Sequence, residues 1–215
     1  MTILRNLHLL RKNKMKITSI ALYKGRTYCV EIDDERKLYF HRDIVSDYGL
    51  KYGMEMDESE LEKVFNASEK RRARERALYL LDYRDYSYIE LLEKLEKNYE
   101  EDICFEVLDY LAEKGFVNDR RYAENLARKL FEIKKYGVNR VRQEMKRKGL
   151  TDEIIEEMLE EYEGGANERI EEIINKKYSR YLGDYKGEQK VKAALVRLGY
   201  RYSEINEVIK GYCED

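Results

Sequence analysis

The pattern of apolar and polar positions changes character once along this chain. Residues 16–40 carry short β-branched and aromatic runs, "KITSIAL", "RTYCVEI" and "KLYF", divided by the turn formers of "YKGR" and "DDER". Runs of this kind between such turns predict a small antiparallel meander. "HRDIVSDYGLKYG" then predicts a short helix stopped at Gly49, and "DESELEKVFNASE" opens another with acids in its first turn. A small mixed α/β module is expected to end near residue 66.

Beyond it the spacing is helical, and it repeats. Ala77, Ala127 and Lys177 are fifty residues apart, as are Leu81, Phe131 and Tyr181. The same interval links Ser87, Gly137 and Gly187, then Leu91, Val141 and Val191, then Leu95, Met145 and Leu195. After a one-residue slip, Asn98, Gly149 and Gly199 end the second helices. Cys104, Ile155 and Ile205, with Leu108, Leu159 and Ile209, mark the third. The expected fold is mainly α: an elongated array of three three-helix, helix-turn-helix-like repeats preceded by the small α/β module. The boundaries expected are a basic arm at 1–15, the module at 16–66, and repeats at 67–116, 117–165 and 166–215. Ser87 and Glu90 form the spacing of a capping box, Asn118 or Asp119 can cap the helix that follows, and Thr151 and Ser203 can cap third helices.

Composition narrows the chemistry. Of 215 residues 40% are charged, yet the net charge is only −2, so any partner must be read from the distribution of charge rather than its total. Twenty Tyr and no Trp supply core packing with a polar tip, and stacking as a second option. Cys29, Cys104 and Cys213 are odd in number and far apart, and with only His8 and His41 beside them no zinc-ligand spacing exists. Three reduced thiols fit a reducing cytosol. No run approaches the ~18 apolar residues of a membrane span. The opening "MTILRNLHLLRKNKMK" lacks a signal-peptide core and reads as a basic arm or an early start. A cytoplasmic protein is expected. Phosphate-loop, HExxH and GxSxG motifs are absent, and the carboxylates are spaced as on a solvated helix face. The reading is therefore a non-enzyme with no catalytic residue, metal ligand or cofactor.

Charge is sorted along the repeats. Residues 117–150 carry about +7 and residues 151–172 about −9. Residues 87–114 are acidic and 176–201 basic, while "EKRRARER" opens the first repeat with a cluster of cations. Basic elements at matching positions of stacked repeats would form a stripe suited to a line of phosphates or acidic subunits. The residues this selects are Arg71, Arg72 and Arg74, then Arg120, Arg121 and Arg128, then Lys135, Arg140, Arg142, Lys146 and Arg147. Around Arg140–Lys148 the only nearby acid in sequence is Glu144. The compensating anion is either an external partner or the neighbouring acidic helix.

Three blocks in this order, "ALYLLDYRDYSYIELLEKLEKN", "VLDYLAEKGFVNDRRYAENLARK" and "YGVNRVRQEMKRKGLTDEII", resemble the bacterial RecX family of RecA regulators. The family's Arg, Ser and Glu-Leu pattern falls on Arg84, Ser87, Glu90 and Leu91. Its aromatic and Asp-Asp segment falls on Phe116, Asp119, Tyr122 and Ala123, with Asn118 replacing the first Asp. Its Gly-Pro becomes Gly137-Val138, which keeps the turn glycine and loses the stiffener. Coverage runs from about residue 16 to the end and is weakest in the third repeat. The resemblance implies a curved repeat protein in the groove of the RecA–DNA filament, bridging subunits and suppressing strand exchange, ATP turnover and coprotease activity. It implies a place in recombination, DNA repair and the SOS response. The partners implied are RecA, single-stranded DNA and, secondarily, double-stranded DNA, with no membrane; a monomer is expected. Two other readings remain beside it. One is a nucleic-acid-binding protein acting without RecA, with Arg140, Gln143 and Arg147 on a reading helix. The other is a helical protein-binding scaffold.

Overall fold

The structure, a computed structural model, describes residues 14–212. The arm at 1–13 with His8, and residues 213–215 with Cys213, lie outside the described residues. The chain forms two compact units, one running to Tyr79 and including Asn98–Val107, the other Leu80–Lys97 with Leu108–Asp215.

In the first unit β1 (Met15–Lys24), β2 (Thr27–Ile32) and β3 (Arg36–His41) form the expected meander. A two-residue strand unannounced by the sequence, β4 (Glu55–Met56), pairs with the start of β1 and gives the order β3-β2-β1-β4. Asp33 and Asp34 make the second turn in left-handed conformation, which Asp tolerates. The Asp33 carboxylate fastens that turn by accepting from the Lys16 amide at 2.8 Å. His41 caps α1 (Arg42–Asp47), and Gly49, at φ +59°, stops it. Ile17, Val30, Ile32, Phe40, Ile44, Leu50, Met56, Leu61 and Val64 make one core.

Helix α2 (Glu58–Tyr83) starts in a reciprocal capping box of Asp57 and Glu60 and passes residue 66 without a break. The module boundary expected there lies inside a helix. Its buried positions, Leu61, Val64, Ser68, Ala73 and Ala77, drift around the axis. One amphipathic stripe is therefore not sustained, and a periodicity reading divides the helix in two.

The remaining helices follow the repeat: α3 (Tyr88–Leu95), α4 (Glu101–Glu113), α5 (Asp119–Arg128), α6 (Val138–Lys146), α7 (Asp152–Glu161), α8 (Ala166–Ile173), α9 (Tyr185–Arg197) and α10 (Tyr202–Gly211). The class is mainly α, with three three-helix repeats after a small antiparallel sheet. Two first helices end in a widened π turn, α5 at Lys129–Ile133 and α8 at Ile174–Tyr178. The fifty-residue spacing holds for the buried Val141 and Val191, Met145 and Leu195, Ile155 and Ile205. It fails in α8, where Ile170 and Ile174 fill the places of Ala123 and Ala127, and Lys177 is exposed. The first helix of the third repeat sits three residues earlier than the sequence match implies. Burial decides the register, and an isoleucine there outcompetes a lysine.

Candidate functional site

Within the second compact unit, two joints of one design hold successive second helices together. In each, the N-terminal turn of one second helix lies against the glycine turn that ends the next. At the first joint the Ser87 hydroxyl donates to the Lys148 carbonyl while accepting from the Glu90 amide at 3.2 Å. Gly149, at φ +74°, lies so close to Ile89 that a Cβ would overlap its side chain. At the second joint Gly137 replaces Ser87, and backbone bonds do the work: Gly137 N donates to Leu198 O at 2.8 Å and Asn139 N to Gly199 O at 3.1 Å. A Cβ on Gly137 or Gly199 would enter the facing backbone.

The two joints differ in charge. Glu90 centres the first, accepting from Lys148 Nζ at 2.7 Å, Tyr122 Oη at 2.8 Å and Arg84 at 3.4 Å. Burial would raise its pKa, but the hydrogen bonds from Lys148, Arg84 and Tyr122 override that and bring it to about 2. Glu90 is thus not the capping-box partner expected from its spacing, because its carboxylate is committed to the next repeat. Asp119 also departs from expectation. Asn118 caps α5, accepting from Arg121 N at 2.9 Å, while Asp119 accepts from Tyr88 N at 2.7 Å. Burial pushes the Asp119 carboxyl up despite that bond. Thr151 caps α7 as expected, Asp184 caps α9, and Ser203 is no cap, since α10 starts at Tyr202. In the second joint the place of Glu90 is taken by Arg140. Its guanidinium stacks on Tyr136 at 4.1 Å, donates to the Arg197 carbonyl at 3.0 Å and lies 3.9 Å from Glu144.

Beside this second joint opens a cavity of about 420 Å³ lined by Lys134, Lys135, Arg140, Lys176, Lys177 and Arg197, against a single acid, Glu172. Both π turns deliver cations to it. The turn after α5 ends at Ile133, directly before Lys134 and Lys135, and the turn after α8 contains Lys176 and Lys177. Lys135 stands at φ +53°, unusual for a residue with a Cβ, and its carbonyl accepts from the buried Tyr200 hydroxyl at 2.9 Å. Burial raises that phenol to about 12, so it stays a donor. Lys135 pairs with Glu172 at 2.7 Å and holds it below the usual carboxylate range. Lys134, Lys177 and Arg197 have no carboxylate within ion-pair distance among the described residues. A second cavity of about 610 Å³ shares Arg140 and Arg197 and adds Gln143, Lys146 and Arg147 around one acid, Glu144. The two form one cationic groove. In the first cavity six cations facing one carboxylate repel each other, and an arriving polyanion relieves that repulsion.

Of the eleven cations selected from sequence, Lys135, Arg140, Lys146 and Arg147 line this groove. The others have work inside the fold. Arg71, its side chain 17% exposed, ties His41 at 3.2 Å, Asp43 at 3.5 Å and Glu75 at 2.8 Å within the first unit. Arg72 pairs with Glu69 at 2.7 Å, and Arg74 also has a partner. Arg121 lies 3.5 Å from the Gly115 and Phe116 carbonyls, and Arg128 donates to Asn125 at 3.0 Å. Helix α7 supplies much of the compensating anion for the second repeat: Glu157 to Arg120, Glu156 to Arg142, and Asp152 to Lys146 at 2.8 Å. Glu144 meets Arg147 on its own helix. Lys134, Lys176, Lys177 and Arg197 were missed. Their one sequence signal is the Lys-Lys pair that follows the apolar end of each first helix, at 134–135 and 176–177.

Comparison with known proteins matches three RecX domain descriptions to this chain: the first three-helix domain over residues 73–111, the second over 118–159 and the third over 167–209. Regulatory protein RecX of Streptococcus sanguinis (strain SK36) is 30% identical over 192 residues, 88% of this chain and 74% of that one. Its namesake in Clostridium acetobutylicum is 31% identical over 189 residues, 84% and 87%. A solved regulatory protein RecX shares the fold with a TM-score of 0.71 at 23% identity, covering 92% of this chain and 99% of that one. RecX from Lactobacillus salivarius gives 0.62 at 26% identity, covering 67% and 97%.

Proposed function

This chain belongs to the RecX family of regulatory proteins, and from that premise we propose that it binds the RecA–single-stranded DNA filament through its cationic groove and damps recombinase, ATPase and coprotease activity without a reaction of its own. The observation that carries this reading is the first cavity of the groove, beside the second joint, with six cations around one carboxylate. A filament lined by phosphate and acidic side chains is the complementary surface. Exposed ion pairs such as Lys146–Asp152 are screened by solvent and weakly held, so exchanging a carboxylate for a phosphate costs little. The reading also places the protein in the cytoplasm, where RecA acts. Arg140 is committed to Tyr136 and the Arg197 carbonyl, which argues against α6 as an independent DNA-reading helix.

Cosedimentation with RecA filaments, against free single-stranded DNA, across a salt series tests this. The pair Lys176→Glu and Lys177→Glu should weaken filament binding and flatten its salt dependence by about 0.7 per lost phosphate contact. Unchanged binding and slope would remove the groove from the site. Wild-type protein in several-fold excess that leaves RecA ATP hydrolysis untouched would remove the function.

A further inference from the structure

The N-terminal sheet keeps one face in the core and turns the other to solvent. Val30, Ile32 and Phe40 are buried on the inner side. Successive strand residues alternate sides, so the paired row Ala21, Cys29 and Tyr39 faces outward. Tyr23 is the extra residue where the register of β1 and β2 shifts between Leu22 and Lys24. Its ring meets that of Tyr39 edge-on, with centroids 4.9 Å apart and planes at 61°. Both rings are open to solvent, Tyr23 at 64% and Tyr39 at 49% exposure. Their neighbours in the paired row, Ala21 and Cys29, carry small side chains.

Charge around the rings is sorted by end of the sheet, except that Asp43 follows Arg42 at the cationic end, where Arg71 and His41 hold it. Lys24 and Arg26 flank Gly25 in the turn next to Tyr23, and Arg42 adjoins them, its amide donating to the Arg26 carbonyl at 2.7 Å. None of these three cations has a carboxylate partner among the described residues. The acids Asp33, Asp34 and Glu35 gather at the opposite turn, and Glu31 is paired with Lys37 at 3.8 Å.

We infer that this outer face is a contact for single-stranded nucleic acid, in which a base stacks on the Tyr23–Tyr39 pair and its phosphate meets Lys24 and Arg26. Every base has a π face, so stacking of this kind tolerates any sequence. Cations beside the rings capture the backbone that carries the base. The contact differs in kind from the groove described above, where the Tyr178–Tyr181 ring pair is half-buried and charge dominates the lining. A duplex keeps its bases stacked inside and does not supply them to this face.

The absence of Trp from the chain provides the test. Tyr39→Trp introduces one indole and preserves a stacking surface. Its fluorescence is titrated with dT12, with an abasic 12-mer of the same backbone, and with a 12-base-pair duplex. Strong quenching by dT12 and little by the other two is expected, and Tyr23→Ala in this background should weaken dT12 binding at least about fivefold. Adding Lys176→Glu and Lys177→Glu should leave the quench at saturation intact, which keeps this outcome separate from failure of the groove. Equal quenching by the abasic strand, or no quenching while labelled dT12 is bound by anisotropy, overturns the inference. Quenching by RecA protein alone, without DNA, also overturns it and assigns the face to a protein. Tyr39→Phe, which should retain affinity for labelled dT12, and Tyr39→Ala, which should lose it, repeat the test without the indole.

Discussion

Replacing Glu90 by Gln removes one charge from the first joint and little else. The carboxylate holds Lys148 at 2.7 Å, Tyr122 at 2.8 Å and Arg84 at 3.4 Å, with its own side chain 14% exposed. Its pKa falls from 4.5 to about 2 because, against the cost of burial, Lys148, Arg84 and Tyr122 all favour the anion. A shift of that size corresponds to about 3 kcal/mol at 1.36 kcal/mol per pH unit. Arg84 and Lys148 are 43% and 35% exposed, and solvent screening at that edge reduces the figure to about 1–2 kcal/mol. The folded pKa lies below the unfolded one, so this stability is whole above about pH 4.5 and is lost as the pH falls towards 2. The variant should therefore unfold about 1–2 kcal/mol more easily at pH 7, a drop of roughly 2–8 °C in Tm for a chain of this length. The difference should close near pH 2. Urea unfolding followed by far-UV circular dichroism at pH 7, 4.5, 3.5 and 2.5, on both proteins in parallel, measures it. Other carboxylates titrate in both and cancel in the difference. A gap that is the same at every pH, or no gap at pH 7, refutes the account of the joint.

Gly199→Ala places a Cβ against the Arg140 backbone at φ +94° and should cost about 3 kcal/mol or more, while Gly115→Ala, at φ +75° with open space around it, should cost only about 1 kcal/mol; urea midpoints compare them. Arg71→Ala should destabilise the protein by about 1–3 kcal/mol through the loss of its ties to His41, Asp43 and Glu75, and leave filament affinity in cosedimentation unchanged. Glu172→Gln releases Lys135 and should tighten binding of labelled single-stranded DNA about two- to fivefold at low salt, with the gain gone at high salt; fluorescence anisotropy reads both.

Much of the fold was legible because burial imposes period on sequence. Val141, Met145, Ile155 and Leu159 and their counterparts fifty residues on are all buried, and core positions tolerate little else. The register of α8 was hidden because Ile170 and Ile174 lie three residues off that interval, where Lys177 and Tyr181 matched by position alone. Capping motifs were readable as local chemistry, yet Glu90 and Asp119 are claimed by residues 58 and 31 positions away in sequence. A local pattern carries no trace of such partners. The cationic runs were plain, but Arg120, Arg142 and Lys146 face acids of α7, so a run of positive charge in sequence overstated the free charge in space. The groove needed the opposite correction. Lys134 and Lys177 lie far apart in the chain, and only the packing of α8 and α9 against the second joint brings them to one cavity.

The two joints also differ in what loosens them. Besides the Ser87 hydroxyl bond, the first is fastened by side chains whose attraction falls with salt and acid, through Glu90 with Lys148 and Arg84. Main-chain bonds from Gly137 and Asn139 fasten the second, and they answer to neither. In mechanical terms the first joint is the one that salt or acid should soften, and the second should hold. A partner that demands bending would find it between α3 and the second repeat, with the second and third repeats travelling as one lever. The cationic groove lies on that lever, so its cations keep their spacing while the first joint gives.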